Sequence, residues 1–334
     1  MDRYIGQTKI GFIGLAGQEK LLAATVTILG CGALGTVAAD LLVRAGVGRL
    51  RIIDRDVVEL GNLQRQTLFV ESDAKARIPK AQAAKERLQQ VNSEVVVEGH
   101  VVDFSGLNAL ALLQGSDAVI DATDNYLARF TLNEACLALN IPWVYGGALG
   151  TGGAMAVFTP EGPCFRCLFA ELPVAGAGES CAVSGVLSSI TTVVAALQVA
   201  EALKLLTGNA PIRGLLQLEL AKGEFHKQPL EQAPQCPACQ LRQYEFLGQG
   251  KYGGAAVVCG QNSVLLYGLT DECALDPLAA RLKARGFLPE SSRFRLRLVT
   301  KEGLEMVVFA DGRALVYGTT SIALAQSLYN SILG

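Results

Sequence analysis

The stretch TVTILGCGALGTVAADLLVRAGVGRLRIID, residues 25–54, contains the pattern from which the architecture can be worked out. The apolar run at 25–30 predicts a β-strand, and residues 33–45 predict the helix that follows it. The glycines of the turn between them are Gly30, Gly32 and Gly35. A second predicted strand, 49–54, ends on Asp54. Such a turn can hold a phosphate on backbone N–H groups, and the acid can accept hydrogen bonds from ribose hydroxyls.

The alternation of strands and helices continues through the first half of the chain. Further strands are predicted at 94–101, 116–124 and 143–147, and further helices at 79–91 and 128–139. This alternation is typical of a doubly wound, Rossmann-like α/β fold with a mostly parallel sheet. Ligands of such folds bind in the crevice beyond the carboxyl ends of the strands.

The character of the sequence changes after residue 154 and again near residue 245. A strand at 154–160, a long helix at 185–206 that ends near Gly208 and a strand at 215–220 complete a predicted first domain, residues 1–245. Residues 246–334 are predicted to form a small α+β domain. Its predicted elements are strands at 255–258, 263–266 and 293–300, helices at 276–285 and 321–333, and a hairpin at 304–318 that turns at Asp311 and Gly312.

The composition indicates a well-packed globular protein. The 334 residues are 50% hydrophobic and 18% charged, which argues against disorder. The net charge is −2 with both signs mixed along the chain, so we expect no nucleic-acid partner. Polar residues interrupt the apolar stretch 186–206, so we expect a buried helix and no membrane span. No secretory signal is recognisable, and we therefore expect a cytoplasmic protein in a reducing compartment.

Four polar residues after Asp54 add to the predicted nucleotide site. They are Asn62 and Arg65 in NLQRQTLF, Lys80 in IPKAQAAK and Asp124 in IDATDN. An amide, two cations and a carboxylate suit a triphosphate with its magnesium better than a dinucleotide. The cations neutralise the phosphates, and a carboxylate can hold the metal. A nicotinamide oxidoreductase is the alternative on this fold, and a glycine turn with only a structural role is another.

Four of the nine cysteines form two C-x-x-C pairs. They are Cys164 and Cys167 in PCFRC, and Cys236 and Cys239 in CPAC. Two such knuckles supply the four thiolates that a structural zinc ion prefers. A redox pair is the alternative, but redox motifs of this spacing stand at a helix start in a different strand context. We therefore expect a zinc site with four cysteine ligands.

The five other cysteines differ in their surroundings. Cys31 lies in the glycine turn and Cys136 on a predicted helix, and we expect both to be packing residues. Nothing around Cys259 and Cys273 indicates chemistry. Cys181, in GAGESCAVSGVL ahead of the long helix, is a candidate reactive thiol, because unpaired N–H groups at a helix start favour a thiolate. The alternative is a small loop residue without a role.

The motifs of the predicted nucleotide site resemble those of the ThiF/MoeB/HesA family, the bacterial relatives of ubiquitin-activating enzymes. These motifs are GCGALG, Asp54, NLQRQTLF, PKA with Lys80, and DATDN. The resemblance covers residues 3–245, and residues 246–334 are similar to the extra domain of longer ThiF-type proteins. It implies an adenylyltransferase that uses ATP and Mg²⁺ on the C-terminal glycine of a ubiquitin-like sulfur carrier, ThiS-like or MoaD-like. The pathway would be thiamin, molybdopterin or related biosynthesis.

The resemblance also implies partners and the roles of single residues. The protein is expected to be a homodimer and its carrier to end in Gly-Gly. Residues 246–334 contain no rhodanese-like active-site loop, so a separate donor such as a cysteine desulfurase is expected to supply the sulfur. Asp54 matches the ribose contact, Asp124 the magnesium ligand and Cys181 the thiol that links to the carrier. The phosphate contacts match Asn62, Arg65 and Lys80. The residues expected to take part in catalysis are Arg65, Lys80, Asp124 and Cys181. The two C-x-x-C pairs match the zinc ligands.

One position departs from the family pattern. The family commonly begins RYxRQ, and its second arginine reaches the ATP phosphates of the other subunit, whereas residues 3–7 here read RYIGQ. Gly6 therefore stands in place of an arginine. Either Arg3 or another cation substitutes, or adenylation is slowed, or the chemistry has diverged. The departure motivates a further hypothesis, a module that binds the carrier or nucleotide without turnover. A relative that dehydrates a modified tRNA adenosine is disfavoured by the two C-x-x-C pairs and Cys181.

Overall fold

The structure is a computed structural model that describes most of the chain. The described residues are 2–172, 185–248, 255–258, 262–266, 273–292, 295–300, 303–310 and 312–333. The chain divides into two compact units, Met1–Gly250 and Lys251–Gly334. Three residues singled out in the sequence, Cys181, Cys259 and Asp311, lie outside the described residues.

The first unit is built on an eight-stranded sheet. Its strands are β1 (Thr25–Leu29), β2 (Arg49–Ile53), β3 (Val96–His100), β4 (Ala118–Asp121), β5 (Trp143–Leu149), β6 (Gly152–Phe158), β7 (Leu215–Glu219) and β8 (Glu224–Gln228). They lie in the order β3-β2-β1-β4-β5-β6-β7-β8. The pairs from β3 to β5 are parallel, and those from β5 to β8 are antiparallel. The strand order reverses between β1 and β4, which is the switch point where ligands of this fold bind.

Helices cover both faces of this sheet. They are α1 (Ile5–Thr8), α2 (Gly14–Ala23), α3 (Ala33–Ala45), α4 (Glu71–Ala76), α5 (Lys80–Val91), α6 (Ala109–Leu113), α7 (Tyr126–Leu139), α8 (Phe165–Leu168) and α9 (Ser188–Thr207). Val26 and Ile28 of β1 belong to one buried cluster, whereas Leu29 belongs to the cluster on the other face. A parallel strand buried on both faces reads as a continuous apolar run, which explains the sequence of β1.

Helix α9 is long and apolar enough to cross a membrane by length and composition alone. In the structure it packs against α3 and β5 within the first unit. Val194, Ala195 and Val199 on it are buried in the clusters on this face of the sheet. The helix ends at Gly208, which has a φ of +83°, so the predicted end is confirmed.

In its described residues, the second unit forms a six-stranded antiparallel sheet with two helices. Its elements are β9 (Ala255–Val258), β10 (Ser263–Leu266), α10 (Leu275–Ala284), β11 (Glu290–Ser291), β12 (Arg295–Val299), β13 (Glu305–Phe309), β14 (Ala314–Tyr317) and α11 (Ile322–Leu333). The strand order is β11-β12-β13-β14-β10-β9. Leu282 of α10 and Ile332 of α11 pack with Leu296 and Met306 of the sheet. The predicted α+β class of this segment and the hairpin formed by β13 and β14 are confirmed.

The structure adds elements that the sequence patterns did not predict. Strand β8 forms in a segment for which no element was predicted, and all five of its residues are exposed. Among the described strands it pairs with β7 alone, at the edge of the sheet, so backbone hydrogen bonds rather than a buried face hold it. Helix α7 begins two residues before its predicted start, because Asn125 caps it by accepting a hydrogen bond from the N–H of Ala128.

Candidate functional site

The glycine turn joins the carboxyl end of β1 to the start of α3 and passes beside the end of β4. Gly30 has a φ of +93°, and a Cβ on it would lie 2.6 Å from the carbonyl oxygen of Ala122. A Cβ on Gly35 would lie 2.0 Å from the carbonyl oxygen of Gly30. Both positions therefore need glycine for the turn to close against the sheet.

Gly32 differs from the other two because the protein leaves space beside it. Among the described residues, only Nε2 of Gln66, at 4.0 Å, comes within that distance of the place where a Cβ would lie. Gly32 is also the N-cap of α3, a helix of 13 residues that no described side chain caps. The first N–H groups of α3 are thus available to an anion that enters this space.

Asp54 follows β2 and ties the glycine turn to it. Its Oδ2 accepts a hydrogen bond from the N–H of Cys31 at 2.6 Å, and its Oδ1 accepts one from the N–H of Asp56 at 2.7 Å. Burial raises the pKa of the Asp54 carboxyl, although the nearby charge of Lys80 acts in the opposite direction. Each carboxylate oxygen has a second lone pair, so the group can still accept bonds from ribose hydroxyls.

Lys80 is the first residue of α5 and is held over the end of β2. Its Nζ lies 3.1 Å from Oδ2 of Asp56, and only 6% of its side chain is exposed. Burial disfavours the charged amine, but the carboxylates of Asp56 and Asp54 outweigh it and hold the pKa of Lys80 above its ordinary value. A buried cation therefore stands beside the glycine turn.

Asn62 and Arg65 lie on the segment that runs from β2 to α4. Asn62 is buried, and its Oδ1 accepts a hydrogen bond from the N–H of Glu59 at 3.3 Å. Nη1 of Arg65 donates to the carbonyl oxygen of Gly61 at 3.1 Å, and no carboxylate among the described residues pairs with this guanidinium. The buried Gln66 places this segment next to Gly32. Gln66 was not predicted as a site residue, because only the folded structure brings it close to the glycine turn.

Asp124 lies in the loop between β4 and α7 and is exposed. Its charge contributes to the raised pKa of Lys80, so the two side chains lie at the same end of the sheet. Within the described residues, no group of three or more acids or histidines converges there as a ready-made metal cage. A single carboxylate suits Mg²⁺ in a nucleotide site, because this ion usually takes one or two carboxylates together with substrate phosphates.

The two C-x-x-C pairs meet in one cluster. The Sγ atoms of Cys164 and Cys236 are 3.6 Å apart, as are those of Cys167 and Cys239, while Cys164 and Cys167 are separated by 4.0 Å. All four sulfurs lie within 4.8 Å of one another. Four thiolates on a tetrahedral zinc ion would be about 3.8 Å apart, whereas a disulfide would be about 2.05 Å long. The donor set thus has the shape of a tetrahedral metal site.

Two described cysteines outside the cluster are packing residues. Cys31 and Cys136 are fully buried, and burial holds the pKa of both thiols well above the ordinary value. Neither is therefore a ready nucleophile. Cys181 lies outside the described residues, and its role stays a prediction.

Fold and site together define a class: a nucleotide-binding α/β protein with a glycine turn at its switch point and a four-cysteine cluster of metal-site geometry. The model of the family described as "ThiF family" matches residues 4–238. The chain belongs to the ThiF family, as its motifs predict.

Two relatives of the chain are named as adenylyltransferases of a sulfur carrier protein. It is 39% identical to the sulfur carrier protein ThiS adenylyltransferase of Bacillus subtilis, over 99% of each chain. It is 40% identical to the sulfur carrier protein adenylyltransferase of Thermus thermophilus, over 72% of this chain and 90% of that protein. Among solved structures, Escherichia coli MccB with MccA-N7isoASN is 23% identical with a TM-score of 0.63, covering 72% of this chain and 74% of that one. That likeness concerns the fold alone.

Proposed function

We propose that this protein transfers an adenylyl group from ATP to the C-terminal glycine of a ubiquitin-like sulfur-carrier protein. One observation carries the proposal: the open glycine turn at Gly32, the buried cation of Lys80 and the exposed carboxylate of Asp124 lie at one switch point. Cations and a carboxylate beside a phosphate turn suit a triphosphate with its metal, and they disfavour the nicotinamide alternative. The names of the Bacillus and Thermus relatives support the same activity.

Each site residue then has a task in binding ATP. The ribose hydroxyls would donate to Asp54, and the phosphates would lie over Gly32 at the start of α3. The groups that would hold the phosphates are Asn62, Arg65 and Lys80. Mg²⁺, when bound, supplies positive charge to the phosphates, and Asp124 is the residue that would hold it. Arg65 fits this task because its guanidinium has no carboxylate partner among the described residues.

The reaction needs no general base. The attacking group is the carboxylate of the carrier's terminal glycine, which is already a nucleophile at neutral pH. One of its oxygens forms a bond to the α-phosphorus of ATP, and the bond from that phosphorus to the bridging oxygen breaks, so that pyrophosphate leaves. The protein has to align the two reactants and stabilise charge on the phosphates, which Arg65 and Lys80 can do.

The four-cysteine cluster is proposed to hold a structural Zn²⁺. The spacing of the sulfurs supports this assignment, and so do two donors that point at them. The N–H of Ala233 lies 3.4 Å from Sγ of Cys167, and Nε2 of Gln232 lies 3.5 Å from Sγ of Cys239. Hydrogen bonds of this kind stabilise metal-bound thiolates and orient them.

Cys181 is proposed to be the thiol that links to the carrier during sulfur transfer, with the sulfur coming from a separate donor such as a cysteine desulfurase. The proposal rests on the sequence around Cys181. Because the adenylation groups all precede residue 125, we expect Cys181→Ala to retain pyrophosphate exchange and to lose sulfur transfer. Exchange and thiocarboxylate formation on the carrier measure the two steps separately. Loss of both would contradict this separation.

The protein is further proposed to act as a cytoplasmic homodimer. Apolar side chains around α1 and α2 support a dimer surface, since Ile5 is 52%, Ile10 45% and Leu15 65% exposed. Exposed apolar patches of this kind often mark protein interfaces. The alternative of a binding protein without turnover is favoured by one observation: Arg3 donates to the carbonyl oxygen of Val91 in its own chain, which occupies the cation that could replace the arginine missing at Gly6.

Carrier-dependent exchange of pyrophosphate into ATP tests the proposed function. We expect exchange only when a carrier ending in Gly-Gly is present, and its loss in Asp124→Asn. Asp117→Asn is a matched control, because Asp117 is also exposed but precedes β4 and so lies at the opposite end of that strand from Asp124. Tight ATP binding without exchange, for every carrier tried, would favour the binding protein instead.

A further inference from the structure

A buried ion pair lies directly beneath the loop that carries Asp124. Asp121, the last residue of β4, is fully buried, and its Oδ2 lies 3.0 Å from Nε of Arg129 on α7. Arg129 is itself only 7% exposed. Removing both charges from water is costly, and an apolar pair of similar volume often stabilises a fold as well or better. Stability alone is therefore a weak explanation for this pair.

The pair binds the backbone on one side of Asp124. Oδ1 of Asp121 accepts hydrogen bonds from the N–H of Thr123 at 2.9 Å and from its hydroxyl at 2.7 Å. Nη2 of Arg129 donates to the carbonyl oxygen of Thr123 at 2.6 Å. The N–H, the hydroxyl and the carbonyl group of Thr123 are thus all held by the two charged side chains. On the other side of Asp124, Asn125 caps helix α7.

The pair is in turn fixed to the centre of the first unit. Nη2 of Arg129 also donates to the carbonyl oxygen of Gly146 on β5 at 3.1 Å, and its guanidinium lies 5.0 Å from the ring centre of Tyr145. Gln198 of α9 donates from Nε2 to the carbonyl oxygen of Asp121 at 2.7 Å. Strands β4 and β5 and helices α7 and α9 therefore determine together where the loop lies.

We propose that Asp121 and Arg129 are positioning residues, which fix the loop at Thr123 and thereby set the direction of the Asp124 carboxylate before the nucleotide binds. Both neighbours of Asp124 in the chain are immobilised while its own side chain stays exposed. Such a loop can present a carboxylate to an ion without the entropy loss of ordering the backbone at each binding event. The inference rests on the proposed function, in which Asp124 holds the metal of the nucleotide.

The first measurement is direct metal binding. Mn²⁺ is titrated in the presence of a non-hydrolysable ATP analogue, and bound Mn²⁺ is followed by electron paramagnetic resonance. Arg129→Lys keeps the charge but loses the planar fork that reaches three partners, so we expect Mn²⁺ affinity to fall about tenfold or more. Thr123→Val removes only the hydroxyl and should cause a smaller loss in the same direction. It keeps the test available if Arg129→Lys does not fold.

Thr131→Val is the matched control. Thr131 lies on α7, and its hydroxyl donates to the carbonyl oxygen of Leu127, outside the network. The substitution removes the same group from the same region, so it should leave Mn²⁺ affinity within about twofold of wild type, which corresponds to about 0.4 kcal/mol. Affinity for the analogue without metal should be unchanged in all three variants.

A double-mutant cycle separates positioning from general stability. If Arg129 acts through Asp124, Arg129→Lys should cost little further Mn²⁺ affinity in an Asp124→Asn background. An equal loss in both backgrounds, or unchanged affinity in Arg129→Lys and Thr123→Val, would overturn the inference while leaving the proposed function intact. Unchanged affinity in Asp124→Asn alone would instead contradict the metal role of Asp124, and the inference would fall with it.

Discussion

Gly32 and Gly35 stand three residues apart in one turn, yet the same substitution should affect them differently. The Cβ of alanine at position 35 would lie 2.0 Å from a carbonyl oxygen, so Gly35→Ala should lower the free energy of unfolding by about 1–3 kcal/mol or more. Gly32→Ala meets no such obstacle and should keep the wild-type thermal midpoint. Its methyl group would fill the proposed phosphate space, so ATP affinity should fall about tenfold or more, which corresponds to about 1.4 kcal/mol.

Thermal denaturation and calorimetric titration with ATP measure these two effects separately. Gly11→Ala is the control, because a Cβ at Gly11 would meet no atom within 4 Å among the described residues. It should change neither quantity. A Gly32→Ala protein that binds ATP as tightly as wild type would show that the phosphates lie elsewhere.

At the scale of single residues, local sequence patterns predict the site only in part. The strand, glycine turn and helix around Gly30 are contiguous in the chain, so a short window of sequence reveals them. Asp121 stands in the motif DATDN, but its role and that of Arg129 were not predicted, because both roles come from bonds to Thr123 and to Gly146 on another strand. A buried Asp and Arg have no local signature, since both residue types usually lie on the surface.

At the scale of elements, the four-cysteine cluster joins two distant segments of the first unit. Cys164 immediately precedes the short helix α8 and Cys167 lies on it, whereas Cys236 and Cys239 lie in the loop after β8. Farther along, Glu134 of α7 accepts hydrogen bonds from three consecutive backbone N–H groups, those of residues 245–247, at 2.9, 2.7 and 3.1 Å. The end of the first unit is thus held by side chains rather than by a regular element.

Removal of the metal should therefore destabilise the first unit. We expect a strong chelator to lower the thermal midpoint of the wild-type protein by about 6 °C or more, as a loss of about 3 kcal/mol implies for a unit of this size. Cys239→Ser should reproduce the loss and should no longer respond to the chelator. Metal analysis by atomic emission should find about one zinc per wild-type chain.

Cys273→Ser serves as the control for the zinc experiment. Cys273 is a half-buried thiol in the second unit and lies outside the cluster. This variant should keep both its zinc and its response to the chelator. A wild-type protein that contains no metal, or whose midpoint the chelator leaves unchanged, would contradict the structural role of zinc.

Regular elements were predicted where side-chain periodicity encodes them. Strands β1 and β4 and helices α3 and α9 have buried faces that leave a pattern in the sequence. Strand β8 has no buried face and depends on the backbone of β7, so its residues carry no such pattern. Helices α1 and α2 were likewise missed, as their exposed apolar side chains blur the amphipathic period.

At the scale of the whole molecule, the N-terminal segment helps to distinguish an active adenylyltransferase from a binding protein without turnover. Tyr4 is buried, and its hydroxyl accepts a hydrogen bond from Nδ2 of Asn92 at 3.0 Å, which anchors the segment. Gly6 follows on α1, and a Cβ on it would meet no atom within 4 Å among the described residues. A larger side chain at this position therefore fits the chain itself.

We accordingly expect Gly6→Arg to fold like wild type and to raise the rate of carrier-dependent exchange. The physical reason is that the proposed dimer would gain a cation near the phosphates of the partner's nucleotide, where charge develops in the reaction. Steady-state exchange rates and thermal midpoints check both parts. Gly11→Arg, which adds the same charge in the same open segment, should leave the rate unchanged. Equal rates in all three proteins would mean that no cation is missing at Gly6.

For the second unit, the sequence predicted the fold class but no function. Its alternating strands predicted a small α+β segment, and the B. subtilis relative matches the chain across it as well. The sequence of this unit contains no motif that indicates a reaction, so no function is predicted for it. Fold class follows from periodicity, whereas function follows from the chemistry of particular side chains.

The mass of the carrier tests the central proposal most directly. The protein is incubated with ATP, Mg²⁺ and a purified small carrier that ends in Gly-Gly, and the intact carrier is weighed by mass spectrometry. The proposal predicts a gain of one adenylyl group. The gain should be absent without ATP, absent when the last glycine is deleted, and strongly reduced with Asp124→Asn. An unchanged carrier mass for every such carrier, in a protein that binds ATP, would contradict the proposed adenylation.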